Sequence, residues 1–293
     1  MTSIALQLPQ LSRLWLFDCG EGTQHQLLRS PLKLSQLERV FITHLHGDHL
    51  FGLAGMLASR SLQNGGDSPV TLYGPAGLAE YVRATLEISR TRLGYPVSVE
   101  RIQPGLVFED DYSRVECALM RHGVESYGYS VVEKDRPGKF NVELARELGV
   151  PEGPLFGKLK SGEMVTLEDG RVVDGSQLTG PPIRGRKVVF CGDTTFHQGS
   201  IDLSRGADLL IHEATYISAD AQLADRANHS TSIMAAEVAR QAGVNRLMLT
   251  HFSLRYESEG HPGLDDLAAE ARAIFPNTGL AYDFLSVEVP RSS

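Results

Sequence analysis

Cysteine is nearly absent from this sequence. The three present, Cys19, Cys117 and Cys191, are far apart and odd in number. They form no zinc-knuckle spacing, and their scarcity suits a reducing, cytoplasmic compartment. Long apolar runs are missing too. No stretch approaches the roughly 20 residues of a membrane-spanning helix, so no membrane partner is expected. The segment from Met1 to Gln10 lacks a basic stretch followed by an apolar one, so no signal peptide is read there. Positive charge is in deficit: Lys and Arg number 28 against 36 Asp and Glu, a formal net charge of -8. That argues against nonspecific nucleic-acid binding through the whole surface, and no DNA partner is expected, but a local basic patch stays open. What remains is an ordinary globular composition, 42% hydrophobic over 293 residues. Such a chain can bury a large core in one or two domains.

Against that background one stretch stands out, Thr43-His44-Leu45-His46-Gly47-Asp48-His49. Arg39-Val40-Phe41-Ile42 before it reads as a buried strand, and Leu50 to Ala58 after it as an apolar helix ending near Gly65-Gly66. Four metal-ligand types therefore crowd a tight loop between a strand end and a helix start. Imidazole and carboxylate suit borderline and hard divalent ions. Neighbours such as Asp48 and His49 do not easily reach the same ion as His44 and His46, so two ions side by side are expected. The pattern His-x-His-x-Asp-His resembles the signature of the metallo-β-lactamase superfamily.

The rest of the chain repeats a strand-then-polar logic. Ser3 to Leu8 and Leu14 to Phe17 read as a hairpin, followed by a helix over Gln24 to Arg29. Val70 to Tyr73 is a strand, and Gly77 to Arg92 an amphipathic helix. Short strands follow at Val97, Leu106, Val115 to Leu119 and Tyr127 to Val132. From Pro137 to Lys187 Gly and Pro recur and apolar runs shorten. Val142 to Leu148 reads as a helix ended by Gly149. A small hairpin is expected across Asp169-Gly170. Basic residues outnumber acidic ones between Pro154 and Lys187, so this stretch reads as a weakly cationic projecting arm, an insertion over 153–187. The second half has buried strands ending at Gly192-Asp193-Thr194, His212-Glu213-Ala214-Thr215 and Thr250-His251, with helices over Thr231 to Ala242 and Asp265 to Ile274. In sheets flanked by helices, chemistry gathers at strand ends. Two such halves face to face give an α/β fold: a four-layer αβ/βα sandwich of the metallo-β-lactamase type, one domain over 1–293 carrying the arm.

One loop cannot complete two coordination spheres. His122, Asp193 and His251 each lie just past a buried strand and are the natural additions. The expected partition is His44, His46 and His122 on one ion, and Asp48, His49 and His251 on the other, with Asp193 bridging. An open position for water is left, as catalytic sites require. His25, His197 and His261 lack such context and are read as surface or structural. His212 is read as a hydrogen-bonded core residue.

Taken together, Asp18-Cys19-Gly20-Glu21-Gly22-Thr23-Gln24, the His44 to His49 loop, Gly192-Asp193-Thr194, His212 to Thr215, His229-Ser230-Thr231 and Thr250 to Tyr256 resemble ribonuclease Z, the tRNA 3′-processing endonuclease family, in its short form. Gly153-Pro154 through Lys158 and Lys160 resembles that family's tRNA-clamping arm. The resemblance implies two Zn²⁺ per subunit, precursor tRNA as substrate, a homodimer, and a cut just after the discriminator nucleotide. It also makes His229 the proton donor to the departing 3′-oxygen, with Glu213 setting its tautomer and Asp48 holding the nucleophile besides binding metal. Ser230 and Thr231, at a helix start, are expected to present backbone N–H groups to a phosphate. Arg255 is expected to pair with a phosphate.

The family normally begins with a further strand and a glycine-rich loop, which the sequence does not show before Met1 to Leu6. A late start or a truncated, less stable enzyme is the expectation there. Two rival readings stay open at this point: another hydrolase of the superfamily acting on a small substrate, and a non-catalytic tRNA-binding relic.

Overall fold

The computed structural model describes residues 2–62, 67–257 and 262–291. Its first sheet contains β1 (Ile4–Leu8), β2 (Arg13–Phe17), β3 (Leu37–Phe41), β4 (Val70–Gly74) and β5 (Val97–Arg101), in that spatial order. β1 and β2 form the expected antiparallel hairpin, and the remaining pairs are parallel. The chain continues through β6 (Gly105–Glu109), β7 (Ser113–Met120), β8 (Ser126–Glu133), a small hairpin β9 (Met164–Thr166) and β10 (Val172–Asp174), then β11 (Lys187–Phe190), β12 (Leu209–Glu213), β13 (Leu247–Thr250) and β14 (Thr278–Leu280). The second sheet runs β14-β13-β12-β11-β8-β7-β6.

Period-two alternation decides which way each strand faces. In β2, Leu14 and Leu16 join an apolar cluster with Leu53, Met56 and Leu57 of the helix Leu53–Leu62 and with Leu78 and Val82 of the helix Leu78–Ile88. The intervening Phe17 points the other way and stacks on Phe190 of β11, ring centroids 3.8 Å apart. Phe41 of β3 meets Tyr129 of β8 at 5.3 Å. On the far side Val189, Leu210, Leu247 and Leu249 pack under the helices Ser232–Ala242 and Leu264–Ile274. The result is helix, sheet, sheet, helix: the expected four-layer αβ/βα sandwich. Each ring in the seam removes roughly 150–250 Å² from water, about 4–6 kcal/mol gross at 25 cal/mol per Å². An exposed pair such as Arg83–Glu87 is worth about 0–1 kcal/mol, so the aromatic seam holds the two sheets together.

The chain forms two compact units. The first, Met1–Asp110, Arg114–Val131 and Lys187–Val287, carries the two large sheets apart from the ends of β7 and β8. The second comprises Asp111–Ser113, Val132–Arg186 and Glu288–Ser293. Its helices Val142–Glu147 and Pro154–Lys160 and the β9–β10 hairpin enclose their own core of Ala145, Val150, Leu159, Val165, Leu167, Val173 and Leu178. Residues 153–186 fall within this unit together with Ala145 and Val150, which share its apolar centre, while Lys187 opens β11 in the first unit.

One local expectation fails. Leu50 to Ala58 is not a continuous helix. A one-turn helix Gly47–Leu50 is separated from the helix Leu53–Leu62. The break has a tertiary cause. The Gly52 N–H donates to the Cys19 carbonyl at 2.9 Å, and Cys19 N–H donates to the His49 carbonyl at 2.8 Å. A Cβ on Gly52 would overlap the Gly20 carbonyl oxygen, so the two backbones can touch only because position 52 is glycine. The expected end of this helix at Gly65-Gly66 lies outside the described residues.

Candidate metal centre

The first ligands leave the sheet directly after β3. His44 and His49 are buried and His46 is exposed, while Asp48 is intermediate, its side chain 41% accessible. Asp18, just past β2, locks this loop. Its carboxylate accepts from the Thr43 N–H (2.7 Å), the Thr43 hydroxyl (2.8 Å) and His49 Nδ1–H (2.7 Å). Asp18 was not among the expected site residues. Its signal was present: an acidic residue immediately beyond a buried strand, as with Asp193.

The distal residues converge on the same place. His122 Nε2 stands 3.3 Å from His46 Nδ1, which is 3.1 Å from His44 Nε2. His251 Nε2 stands 3.3 Å from Asp48 Oδ2. Asp193 Oδ2 sits between the two groups, 3.4 Å from the Nε2 atoms of both His49 and His251 and 3.8 Å from that of His44. The structure brings these seven residues together, with His44, His46 and His122 in one group, Asp48, His49 and His251 in another, and Asp193 beside His44 and His49; His229 lies within reach of the same cluster.

The donor set fits divalent cations. Two ligands about 2.0–2.1 Å from one tetrahedral zinc lie roughly 3.3 Å apart, which is the separation seen here. His49 Nε2 is fully buried and makes no hydrogen bond among the described residues. Meanwhile the other nitrogen of four of the five rings is engaged: His44 Nδ1 with Thr43 Oγ1 (3.0 Å), His49 Nδ1 with Asp18, His122 Nδ1 with the Asn228 carbonyl (2.9 Å) and His251 Nδ1 with Thr215 Oγ1 (2.8 Å). Such outer bonds fix the tautomer and aim the free nitrogen inward. Electrostatics agree. Burial pushes the His44 imidazole down to about 3, so that ring is neutral. Burial opposes charge at His49 as well, but Asp18 and Asp193 outweigh it and raise its pKa to about 10. The negative field that retains a proton there would equally favour a metal ion.

Beside this cluster, Glu213 at the end of β12 is buried and accepts from His229 Nδ1–H (2.8 Å), Thr194 N–H (2.9 Å), Ser230 N–H (3.0 Å), Thr215 N–H (3.2 Å) and the Thr215 hydroxyl (2.7 Å). The expectation for Ser230 and Thr231 needs correction. Both are buried. The Ser230 N–H is taken by Glu213 and its hydroxyl donates to the Thr194 carbonyl at 2.6 Å. Thr231 caps the helix Ser232–Ala242 by accepting from the Met234 N–H. These buried groups shape the site from within. Arg255 is held by Asp220 at 3.1 Å. Gly153, Pro154, Lys158 and Lys160 are exposed in the second unit. His25 is exposed, and His197 caps the helix Gln198–Ser204. His212 is buried, its Nδ1 bonded to the Glu213 carbonyl. His261 lies outside the described residues.

Comparison with known proteins narrows the meaning of this centre. A family model described as beta-lactamase superfamily domain matches residues 171–252, and one described as Anti-Pycsar protein Apyc1 matches residues 5–131. The crystal structure of human tRNase Z, short form (ELAC1), superposes with a TM-score of 0.70 at 31% identity, covering 99% of this chain and 92% of that one. Ribonuclease Z of Brevibacillus brevis (strain 47 / JCM 6285 / NBRC 100599) is 54% identical, over 99% of this chain and 92% of the relative. Ribonuclease Z of Trichodesmium erythraeum (strain IMS101) is 59% identical, over 99% of this chain and 90% of the relative. With identity of this order along nearly its whole length, the chain belongs to the ribonuclease Z family.

Proposed function

We propose that this chain is the metal-dependent endoribonuclease that removes the 3′ trailer from precursor tRNA, leaving a 3′-hydroxyl on the tRNA. The observation that carries the reading is Asp193 Oδ2, 3.4 Å from both His49 and His251 and flanked by the His44 group. Two Zn²⁺ ions, one at His44, His46 and His122 and one at Asp48, His49 and His251 with Asp193 shared, would supply hydroxide near neutral pH and offset charge on the phosphoryl oxygens. Asp48, the accessible carboxylate of the cluster, orients the attacking water. His229 donates Nδ1–H to Glu213, which leaves Nε2 to carry a proton to the departing 3′-oxygen. Burial lowers the His229 pKa, but the hydrogen bond and charge of Glu213, with Asp193 and Asp48 behind it, outweigh burial and raise it. The imidazolium needed for donation is thereby favoured.

The second unit is read as the tRNA-holding arm. Gly153 adopts a φ of 136°, a glycine conformation, and Pro154 opens the helix that ends in exposed Lys158 and Lys160. Cations in a last helical turn also face the negative end of the helix dipole, so their exposure leaves them available to RNA phosphates. Arg255 keeps guanidinium donors beyond its bond to Asp220 and is read as a second phosphate contact. A cytoplasmic homodimer, with one subunit's arm holding tRNA cut by the other, completes the proposal.

The test is incubation of purified protein with a 3′-extended precursor tRNA, with and without chelator, mapping the cut to the nucleotide. Cleavage after the discriminator nucleotide that stops with chelator is expected. No cut, or a cut indifferent to chelator, overturns the reading. Charge reversal at Lys158 and Lys160 should weaken precursor cleavage and spare a small phosphodiester.

A further inference from the structure

We infer that Thr215 is a positioning residue whose hydroxyl joins the His251 imidazole to the Glu213–His229 pair. The inference rests on the functional reading above. Thr215 Oγ1 lies 2.8 Å from His251 Nδ1 and 2.7 Å from Glu213 Oε2, with His229 Nδ1 at 3.3 Å. A hydroxyl has one proton to give. Glu213, a carboxylate, can only accept, so Thr215 donates to Glu213 and must accept from His251 Nδ1–H. That direction leaves the His251 Nε2 lone pair facing Asp48 Oδ2 at 3.3 Å and Asp193 Oδ2 at 3.4 Å. A bare nitrogen facing two carboxylates is unfavourable unless a cation lies among them. The Thr215 hydroxyl thus sets the one His251 tautomer that can bind metal.

The backbone around Thr215 reinforces the link. The Ser253 N–H donates to the Thr215 carbonyl (3.1 Å), and the Tyr216 N–H donates to the Ser230 carbonyl (3.2 Å). One segment therefore clamps the loops of both His251 and His229. His251 needs such support, because its φ of 61° is in the left-handed region that a residue with a Cβ rarely adopts. Thr215 is buried and β-branched, so its χ1 is restricted and its Oγ1 stays aimed. A matching arrangement holds the opposite side of the centre. Thr43 Oγ1 accepts from His44 Nδ1–H and donates to Asp18.

The experiment compares Thr215→Val, which keeps shape and removes the hydroxyl, with Thr215→Ser, which keeps the hydroxyl. Zinc affinity is read by competition with a chromophoric chelator, and kcat and KM on a 3′-extended precursor tRNA are read at saturating zinc. Thr215→Val should bind one of two zinc equivalents about ten- to hundredfold more weakly, and lose roughly tenfold in kcat with little change in KM. Thr215→Ser should recover most of both. Equal impairment of the two variants, or wild-type zinc affinity in Thr215→Val, overturns the inference. A measurement on the unmutated zinc-loaded chain needs no variant: long-range ¹H–¹⁵N spectra should show His251 as the Nδ1–H tautomer, and an Nε2–H ring would overturn it. Absence of precursor cleavage by the wild-type chain would defeat the functional reading, while the zinc and tautomer results would still judge Thr215.

Discussion

His251 Nε2 lies 3.3 Å from Asp48 Oδ2, although 203 positions of chain separate them. The two residues come from different sheets, so the contact exists only when the sandwich is closed. Replacing His251 with alanine should remove one ligand without disturbing the core, since its side chain is partly accessible. The expected result is loss of one of two metal equivalents and at least about a hundredfold lower kcat/KM. Metal content by atomic spectrometry and steady-state kinetics check this. A fully loaded, active variant would contradict the assignment.

Asp18 touches no substrate in this reading, yet it holds three donors of the first ligand loop. In Asp18→Asn an amide nitrogen would replace one acceptor oxygen, leaving either Thr43 or His49 unpaired in a buried place. Metal affinity should fall about 10- to 100-fold, with activity recovering as zinc is raised. Chelator competition followed by zinc titration of activity measures both halves of that expectation.

Backbone packing at Gly52 makes a stability prediction. An alanine there would have to displace the Gly20 carbonyl. The expected cost is about 3 kcal/mol, a fall in melting temperature on the order of 5–10 °C. The same strain moves the His49 end of the metal loop, so metal binding should weaken in parallel. Calorimetry with and without zinc separates the two effects.

Within the second unit, Glu133 accepts a bidentate bond from Arg186 (2.8 and 2.6 Å) and a further bond from Arg291 (2.8 Å). Burial alone would raise its pKa, but the two guanidinium groups hold it below the ordinary carboxylate value. A depressed folded pKa contributes stability that is present above the unfolded value, about 4.3, and is lost as pH falls through the folded value. Glu133→Gln should therefore cost about 2 kcal/mol at pH 7. The difference from wild type should shrink below about pH 4. Melting curves of both proteins across pH 3 to 7 (roughly the range over which a carboxylate titrates) test the sign. A gap that widened in acid would refute it.

Much of the centre was legible because its ligands obey a local rule. Histidine density in the His44 to His49 loop needs no tertiary knowledge, and His122, Asp193 and His251 each follow a recognisable strand. Asp18 obeys the same rule but stands alone, with no neighbouring histidine to mark it. Its partner His49 is near only in three dimensions. The break at Gly52 and the burial of Ser230 were hidden for a similar reason. Each depends on an acceptor in another segment, the Cys19 carbonyl in one case and the Glu213 carboxylate in the other. The inclusion of residues before Gly153 in the second unit reflects Ala145 and Val150 sharing a core with Leu159, which no change in composition near residue 132 announces.

The Phe17–Phe190 stack has a consequence for the chain's divisibility. His44, His46, Asp48 and His49 belong to one leaf of the molecule, whereas His122, Asp193 and His251 belong to the other. A fragment ending before β6 or beginning after β5 would inherit an incomplete cage and a naked aromatic surface. Neither piece would be a smaller nuclease. Co-expressed, the pieces would report their own reunion, because zinc retention could return only when the two rings found each other again.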